Sequence, residues 1–597
     1  MKTLCYIILL IGFFGLFVQL SNAQNIAEDR LTDWSNAGLS EDIDDAEIVF
    51  NVTDYGAAGN GITDDTDAIL EAIEATDGQA AMIYFPPGIY LLTQAIYFHT
   101  GLCLKGAGAN ITHIKFNLSS DSQHCLNISS SQNNGFMEVL NGFKKNSTHL
   151  VLVNGSGINP GDFVEIHQEN GEWDTNPASW AENSVGQIIE VIAVNGNEIE
   201  LKDPLRIDYV ENLNPEIRKI ETINDIKIEN LSIERLDMPD LSGGKNIYIS
   251  YAANVQISGI ESKKSQGSHI YATHSSHIFV FGNYIHDAFE FDGAATRGYG
   301  VTLNMHTGNC LIENNIFKNL RHAMMVKTGA NGNVFSYNYS REPHRSEPIP
   351  TYSGDISVHG HYAYANLFEE NIVQNLIIDH YWGPGGPLNT FLRNRTELFG
   401  LIMTSNNEME TKSQNFIGNE ISGNFPYGVY ILTGDNHFEF GNNDGGVCVP
   451  SNTTDVSDES YFYNEAPWYL DIAFPTIGYP HELNEHMIPA KERWLNGENL
   501  VMEYNPQTVG EEELTKKAQD IRLLQNPVQD QVVVLMNKNT VSFEYQIFST
   551  QGQLVYSGNS DHYSSQFSID VGFLTSGTYV LRFIDSSQTE SVVFVKK

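Results

Sequence analysis

Between about residues 267 and 420, proton-handling side chains recur at one place in a repeating phrase. IYATH ends at His274, TLNMH at His306 and MMVK at Lys327; ISVHGH carries His359 and His361, and IIDH carries Asp379 and His380. Ten of the nineteen histidines fall between His269 and His380. Taken singly, such a histidine reads as a stacked structural residue. Five successive repeats that end one segment in His or Lys make a functional column the better reading. Histidine titrates near neutrality and can act as a base, as can lysine. Arg321, His322, Arg345 and Arg393 lie in adjoining turns, and guanidinium groups bind carboxylate or sulfate in bidentate fashion. Asp379 is the one carboxylate within the column. This stock suits removal of a proton next to an acidic group whose charge has been neutralised.

The elements that must align these residues are short and strand-like. Each closes on an asparagine: Asn283, Asn315, Asn338, Asn371, Asn394 and Asn419, in steps of 32, 23, 33, 23 and 25 residues. A repeat of that length with occasional insertions marks a solenoid. Its Ile, Val, Phe, Tyr, Asn and Gly content favours strands and tight turns. The expected fold is all-β: a parallel β-helix in which each repeat is one coil and the asparagine bonds along the stack. Successive strands lie about 4.8 Å apart, so equivalent positions form a column.

At 597 residues the chain exceeds one compact domain, and its net charge is −41. That acidity excludes nucleic acid as a partner, since a phosphate backbone demands a basic face. Residues 1–23 read as a signal peptide: Lys2, the apolar run CYIILLIGFFGLFV, then Ser21-Asn22-Ala23. No later apolar run suggests a transmembrane segment. Residues 24–47 read as a loose, polar lead-in. Residues 48–505 read as the β-helix, with β insertions around 111–225, residues 506–522 as a charged linker, and residues 523–597 as a separate β-sandwich. Thr63-Asp64-Asp65 caps a helix with Ile69, Leu70 and Ile73 on its apolar face, placed to cover the first coil. Cys103 and Cys125 would bridge one coil or stay as buried thiols; Trp468, Tyr469 and Trp494 would seal the last coil.

DYGAAGNGITDDTDAI followed by YFPPGIYLL resembles the opening of the pectate-lyase-superfamily right-handed parallel β-helix proteins over residues 48–110. LLQNPVQDQV, IFSTQGQLVYSG, LTSGTYVLRF and the terminal VFVKK resemble the C-terminal sorting domain of type IX secretion cargo. The second resemblance implies a partnership with that secretion machinery, and a chain secreted or attached to the outer cell surface. The first implies a secreted enzyme or binding protein for polysaccharide, expected to act as a monomer. On such a scaffold hydrolases need paired carboxylates, whereas lyases that cleave uronic-acid polymers by β-elimination need a base and a partner for the substrate carboxylate. The column favours the lyase on an acidic polysaccharide. His359 or Lys327 would take the proton; His306, His361 and Arg321 would position the acidic group. Asp379 would orient His380, and Tyr381 and Trp382 would stack on a sugar. His322, Arg345 and Arg393 complete the expected binding set. The hydrolase alternative would use Asp287, Glu290 and Asp292, or Asp355 with Asp379; a non-catalytic glycan-binding surface protein is a third reading. Some β-helix lyases of this kind use calcium. No dedicated ligand spacing asks for it or another divalent metal here.

Overall fold

The computed structural model describes residues 25–119, 122–155, 157–238, 243–292, 297–344, 354–404, 410–424, 426–470, 474–478, 487–497, 499–505, 521–523, 528–536, 543–549, 554–560, 566–584 and 589–597. The signal-peptide reading, most of the linker and Arg345 fall outside these residues. The chain divides into two compact units, one ending at Tyr504 and the other beginning at Asn505. No helix among the described residues is long and apolar enough to cross a membrane.

The first unit is a parallel β-helix with three faces. Ala252–Ser258, Glu261–Ser265 and Ser268–Thr273 make one coil, a strand per face. The first face is a twelve-stranded sheet running from Val49–Asn51 to Phe438–Phe440. One of its rows reads Ile257, Val280, Ile312, Phe335, Phe368, Phe391, Phe416 in strict parallel register. The last four rings stack inside the solenoid at 4.9, 5.2 and 5.2 Å between centroids. Helix α1, Thr66–Glu74, lays Ile69 and Ala72 against the same apolar interior at the first coil.

The recurring asparagine bonds as the repeat predicts. Nδ2 donates to the next Oδ1 at 2.9 Å from Asn283 to Asn315, then at 3.0, 3.0, 2.9, 3.1 and 3.0 Å through Asn338, Asn371, Asn394, Asn419 and Asn442. A second ladder, Asn333 to Asn366 to Asn389 to Gln414, runs at 2.9 Å per step. Asn371 also accepts from the Asn338 amide and donates to the carbonyls of Phe335 and Glu369. Asn371→Ala orphans buried groups on both neighbouring coils, so we expect a loss of about 2–4 kcal/mol, read as a lower denaturant midpoint.

The outer side of the first face is covered by both ends of the unit. The lead-in is packed, contrary to the expectation of a loose one. Ile26, Trp34 and Ala37 join a core with Leu311, Val334 and Leu367, and Trp34 Nε1 donates to Ala365 O at 2.8 Å. Tyr469 is buried in that core, with Trp468 and Trp494 packed against it, so these aromatics seal the coils. The segment around 456–478 docks on buried carboxyls of the β-helix wall. Glu313 accepts from the hydroxyls of Tyr463 and Tyr469, Glu369 from Ser460 and Tyr461, Glu370 from Thr476, and Glu420 from Gly478 and Arg395. Burial outweighs these donors and pushes Glu313, Glu369 and Glu420 up to about 7 and Glu370 up to about 8. An unfolded glutamate titrates near ~4.3. Between that value and the folded ones the native state holds more protons than the unfolded state, so stability falls as pH rises. Thermal melts from about pH 5 to about pH 8 should show a falling midpoint, and Glu370→Gln should flatten the slope.

Between Leu126–Ser129 and Ile223–Glu229 the chain leaves the solenoid and forms a closed antiparallel barrel. Its strands are Met137–Asn141, His149–Leu152, Phe163–Gln168, Val185–Asn195, Glu198–Leu201 and Glu216–Ile220. Helix α2, Pro489–Asn496, lies near the end of the first unit. The second unit holds a three-stranded and a four-stranded antiparallel sheet around a core that includes Val532, Val534, Ile547, Leu581 and Phe594. Cys103, Cys125, Cys310 and Cys448 are free thiols, so no bridge joins Cys103 to Cys125.

Candidate active site

The third face is built from strands that include Ile247–Ser250, Ser268–Thr273, Tyr299–Asn304, His322–Lys327 and Ile356–His359, followed by the end of Ile372–Asp379. Alternate residues Ile270, Val301, Met324, Val326, Val358 and Ile378 point into the core. That alternation turns the residues between them outward. Lys327 pairs with His359, and His359 with Asp379, across adjacent strands. Three of the sequence-predicted residues therefore form one row, about 4.8 Å apart.

Asp379, the last member of the row, is buried. Its Oδ2 meets His359 Nδ1 at 2.9 Å and its Oδ1 accepts from the Tyr381 amide at 2.9 Å. Burial would raise this carboxyl, but the hydrogen bond and charge of His359, then the Tyr381 amide, hold it below the usual carboxylate range. The expected partner was His380; the carboxylate orients His359 instead. His359 Nε2 has no hydrogen-bond partner among the described residues. Half-buried Lys327 makes no hydrogen bond or ion pair with a described residue, and its Nζ stands 5.7 Å from the centre of the Trp180 ring. Burial, then the positive charge of Lys245, pushes its ammonium down to about 8. Lys245 Nζ lies 5.3 Å from the Tyr271 ring, and Asn304 donates to the Tyr271 hydroxyl at 2.7 Å.

Other predicted residues are used differently. His306 is buried with both nitrogens spent, Nδ1 on Glu165 at 2.7 Å and Nε2 on Asn183 O at 2.7 Å. His361 is buried, with Nε2 3.1 Å from Asn176 O and 3.4 Å from Asp174. Both histidines fasten the barrel to the solenoid turns, which removes them from the groove. His380 is fully buried and its ring has no hydrogen-bond partner among the described residues. Buried His322 turns Nδ1 to Gly354, 3.1 Å from its carbonyl oxygen and 3.2 Å from its amide nitrogen, and its ring centre lies 6.5 Å from that of His359. Arg321 precedes the same strand at the end opposite Lys327, 6.0 Å from the Tyr299 ring. Arg393 is not a substrate residue: it is buried and bonds the carbonyls of Asp458, Ile477 and Val456, clamping the segment that covers the first face. Tyr381 and Trp382 are 61% and 43% exposed beside Asp379, their rings 5.2 Å apart and edge-to-face. Three of the hydrolase carboxylates are occupied. Asp355 accepts from Ser340, Gln374 and Asn375, Asp287 is bonded by His286 and Asn319, and Glu290 by Gln266 and Arg297. No cluster of three or more His, Cys, Asp or Glu among the described residues is disposed to hold a metal ion.

Sequence reasoning missed Trp180, Lys245, Tyr271 and Glu165. The first and last come from the barrel, whose place over the third face depends on contacts between residues far apart in the chain. Glu165 and His306 are 141 positions apart.

Residues 49–191 match the family described as rhamnogalacturonase A/epimerase, pectate lyase-like, and residues 219–342 match the right handed beta helix region. Residues 525–597 match the secretion system C-terminal sorting domain. The plasmin and fibronectin-binding protein A of Streptococcus pneumoniae is 25% identical over 178 residues, 30% of this chain and 21% of that protein. The glucan 1,3-beta-glucosidase of Cochliobolus carbonum is 29% identical over 153 residues, 23% of this chain and 18% of that one. The chain thus spans about a fifth of the length of the curated relatives it matches. Among solved structures, the Pseudomonas phage phi297 tailspike gp61 covers 66% of this chain and 64% of its own at a TM-score of 0.45 and 13% identity. The sorting domain marks the chain for secretion and attachment at the cell surface. The chain thus carries a pectate-lyase-like segment and a right-handed β-helix region within its parallel β-helix, followed by a C-terminal secretion-system sorting domain.

Proposed function

We propose that the chain is a polysaccharide-processing enzyme that cleaves an acidic, uronate-containing polymer by β-elimination over the third face. The observation that carries this reading is the row Lys327, His359, Asp379: a desolvated lysine beside a carboxylate-oriented histidine. Lys327 as the free amine takes the C5 proton of a uronate ring. The electron pair of that C–H bond becomes the C4–C5 double bond, and the bond from C4 to the glycosidic oxygen breaks. His359, oriented through Nδ1 by Asp379, gives a proton from Nε2 to the departing oxygen, and solvent later restores both groups. Lys245 adds positive charge beside Lys327 where the substrate carboxylate must sit.

Elimination is favoured over hydrolysis because Asp355, Asp287 and Glu290 are held by donors, while Lys327 and His359 Nε2 have no hydrogen-bond partner among the described residues. The pectate-lyase-like family match and the glucosidase relative support action on polysaccharide; the fibronectin-binding relative supports surface binding. The test follows ultraviolet absorbance and reducing ends together during incubation with polygalacturonate, alginate and ulvan. Elimination makes both rise in step on one polymer. Reducing ends without absorbance overturn elimination in favour of hydrolysis, and neither signal, with retention on the polymer, makes the groove a binding site.

A further inference from the structure

The barrel insertion ends its descent on the solenoid with Trp180, which sits in the short 3-10 turn Ser179–Ala181. Two buried anchors hold this turn. His361 bonds Asn176 O at 3.1 Å on one side, and His306 bonds Asn183 O at 2.7 Å on the other. Between them Trp180 remains 46% exposed. Its ring meets His361 edge-on at 5.0 Å between centroids and faces the Lys327 ammonium at 5.7 Å. An indole fixed at both ends of its turn, left open to solvent and set over an ammonium without a hydrogen-bond partner among the described residues has more than a packing role. It holds the Lys327 head in the groove without a carboxylate that would keep it protonated. It also offers a flat apolar surface to a sugar ring.

We propose that Trp180 is the positioning residue for Lys327 and the stacking wall for the sugar at the point of cleavage, so that the barrel completes the active centre. This rests on the reading of Lys327 as the base. In the free protein the ammonium rests against the indole; an acidic sugar entering the groove is a stronger partner and takes its place, stacking its C–H face on the ring. The barrel surface beyond Trp180 bounds the path of the polymer. A cleft of about 610 Å³ there is lined by Asp174 and Glu182 among others, whose charge repels a polyanion and keeps it on the third face. Two opposing effects act on Lys327. The indole's attraction favours the cation, while the water it excludes would favour it more. Burial is the largest cause acting on this group and it lowers the proton affinity; the indole over the ammonium is part of that covering, so its removal should raise the affinity.

The experiment has two arms on the intact chain. In the first, brief acetylation with acetic anhydride across a pH series, read by mass spectrometry at Lys327, gives the titration of that amine without any substrate. Wild type should be half-reactive near pH 8; Trp180→Ala should shift the midpoint upward by about one unit or more, and Trp180→Phe should stay with wild type. In the second, initial rates on whichever of the three polymers is cleaved should show KM raised about tenfold by Trp180→Ala and restored by Trp180→Phe. A Trp180→Ala protein with the wild-type melt and an unmoved acetylation midpoint overturns the proposal. A moved midpoint with no cleavage of any polymer keeps Trp180 as the residue that positions Lys327, and overturns only the elimination reading. A moved midpoint with unchanged KM removes the stacking role.

Discussion

Replacing Lys327 by alanine should lower kcat for elimination by about 10²–10⁴-fold with little change in KM, the usual measure of a lost general base. His359→Ala should lose a similar factor, because proton delivery to the leaving oxygen occurs only in the transition state. The two losses should not multiply in the double variant, since both groups serve one concerted transfer. Lys327→Ala should leave the melting temperature nearly unchanged, since Lys327 makes no hydrogen bond or ion pair with a described residue. His359→Ala should lower it, because buried Asp379 loses its partner, so its rate is read below its own melting range. In wild type, kcat/KM should rise with pH through an acid limb near the value at which Lys327 of the free enzyme loses its proton, about 8. Comparison of the single variants on the cleaved polymer, with circular dichroism as the fold control, checks this. A Lys327→Ala enzyme that keeps half its rate sinks the assignment.

The second large effect lies outside the chemistry. Glu165 is buried and takes three cations or potential cations at once: His306 at 2.7 Å, Arg218 through Nη2 at 2.6 Å and Nε at 2.7 Å, and His274 at 3.7 Å. Burial pushes its carboxyl up, but the His306 hydrogen bond and the charges of His274, His306 and Arg218 together hold it well below the ordinary range. Glu165→Ala would leave His306 and Arg218 buried without their counter-charge, which costs about 3–5 kcal/mol. Because this site joins the barrel to the solenoid turn, the loss should fall first on the barrel. Amide exchange should accelerate across Phe163–Gln168 and Val185–Asn195 while the asparagine-laddered coils stay protected. Glu165→Gln keeps the shape and one acceptor and should cost less. Equal exchange in wild type and Glu165→Ala would mean that the barrel is held by its other contacts, among them Arg206 to Asn331 and Tyr364 to the Gly186 carbonyl.

The coils were legible because their determinants are local and repeated. Each Asn sits at one bend and bonds the next Asn, so a one-dimensional spacing carries the three-dimensional register. The row Lys327, His359, Asp379 follows from the same register. The fates of His306, His361 and Arg393 were not legible. Each occupies a turn whose environment is set by a distant segment: Glu165 and Asn183 for His306, Asn176 for His361, and the covering segment around Val456 and Ile477 for Arg393. A histidine in such a turn looks the same in sequence whether it meets substrate or another piece of the chain. His380 shows the complementary error. Alternation along Ile372–Asp379 turns the Asp379 carboxylate toward the preceding coil, where His359 waits, while the next residue is carried into the corner.

The claim on which all this depends is that one groove, over the third face, holds the reacting sugar. The most direct measurement is a crystal structure of the Lys327→Ala protein soaked with an oligosaccharide of the polymer that wild type cleaves. The prediction is a uronate ring stacked on Trp180, its C5 beside the space vacated by the lysine and its glycosidic oxygen within hydrogen-bond reach of His359 Nε2. An oligosaccharide bound in another cleft, or lying in the groove with C5 turned away from that space, would contradict it.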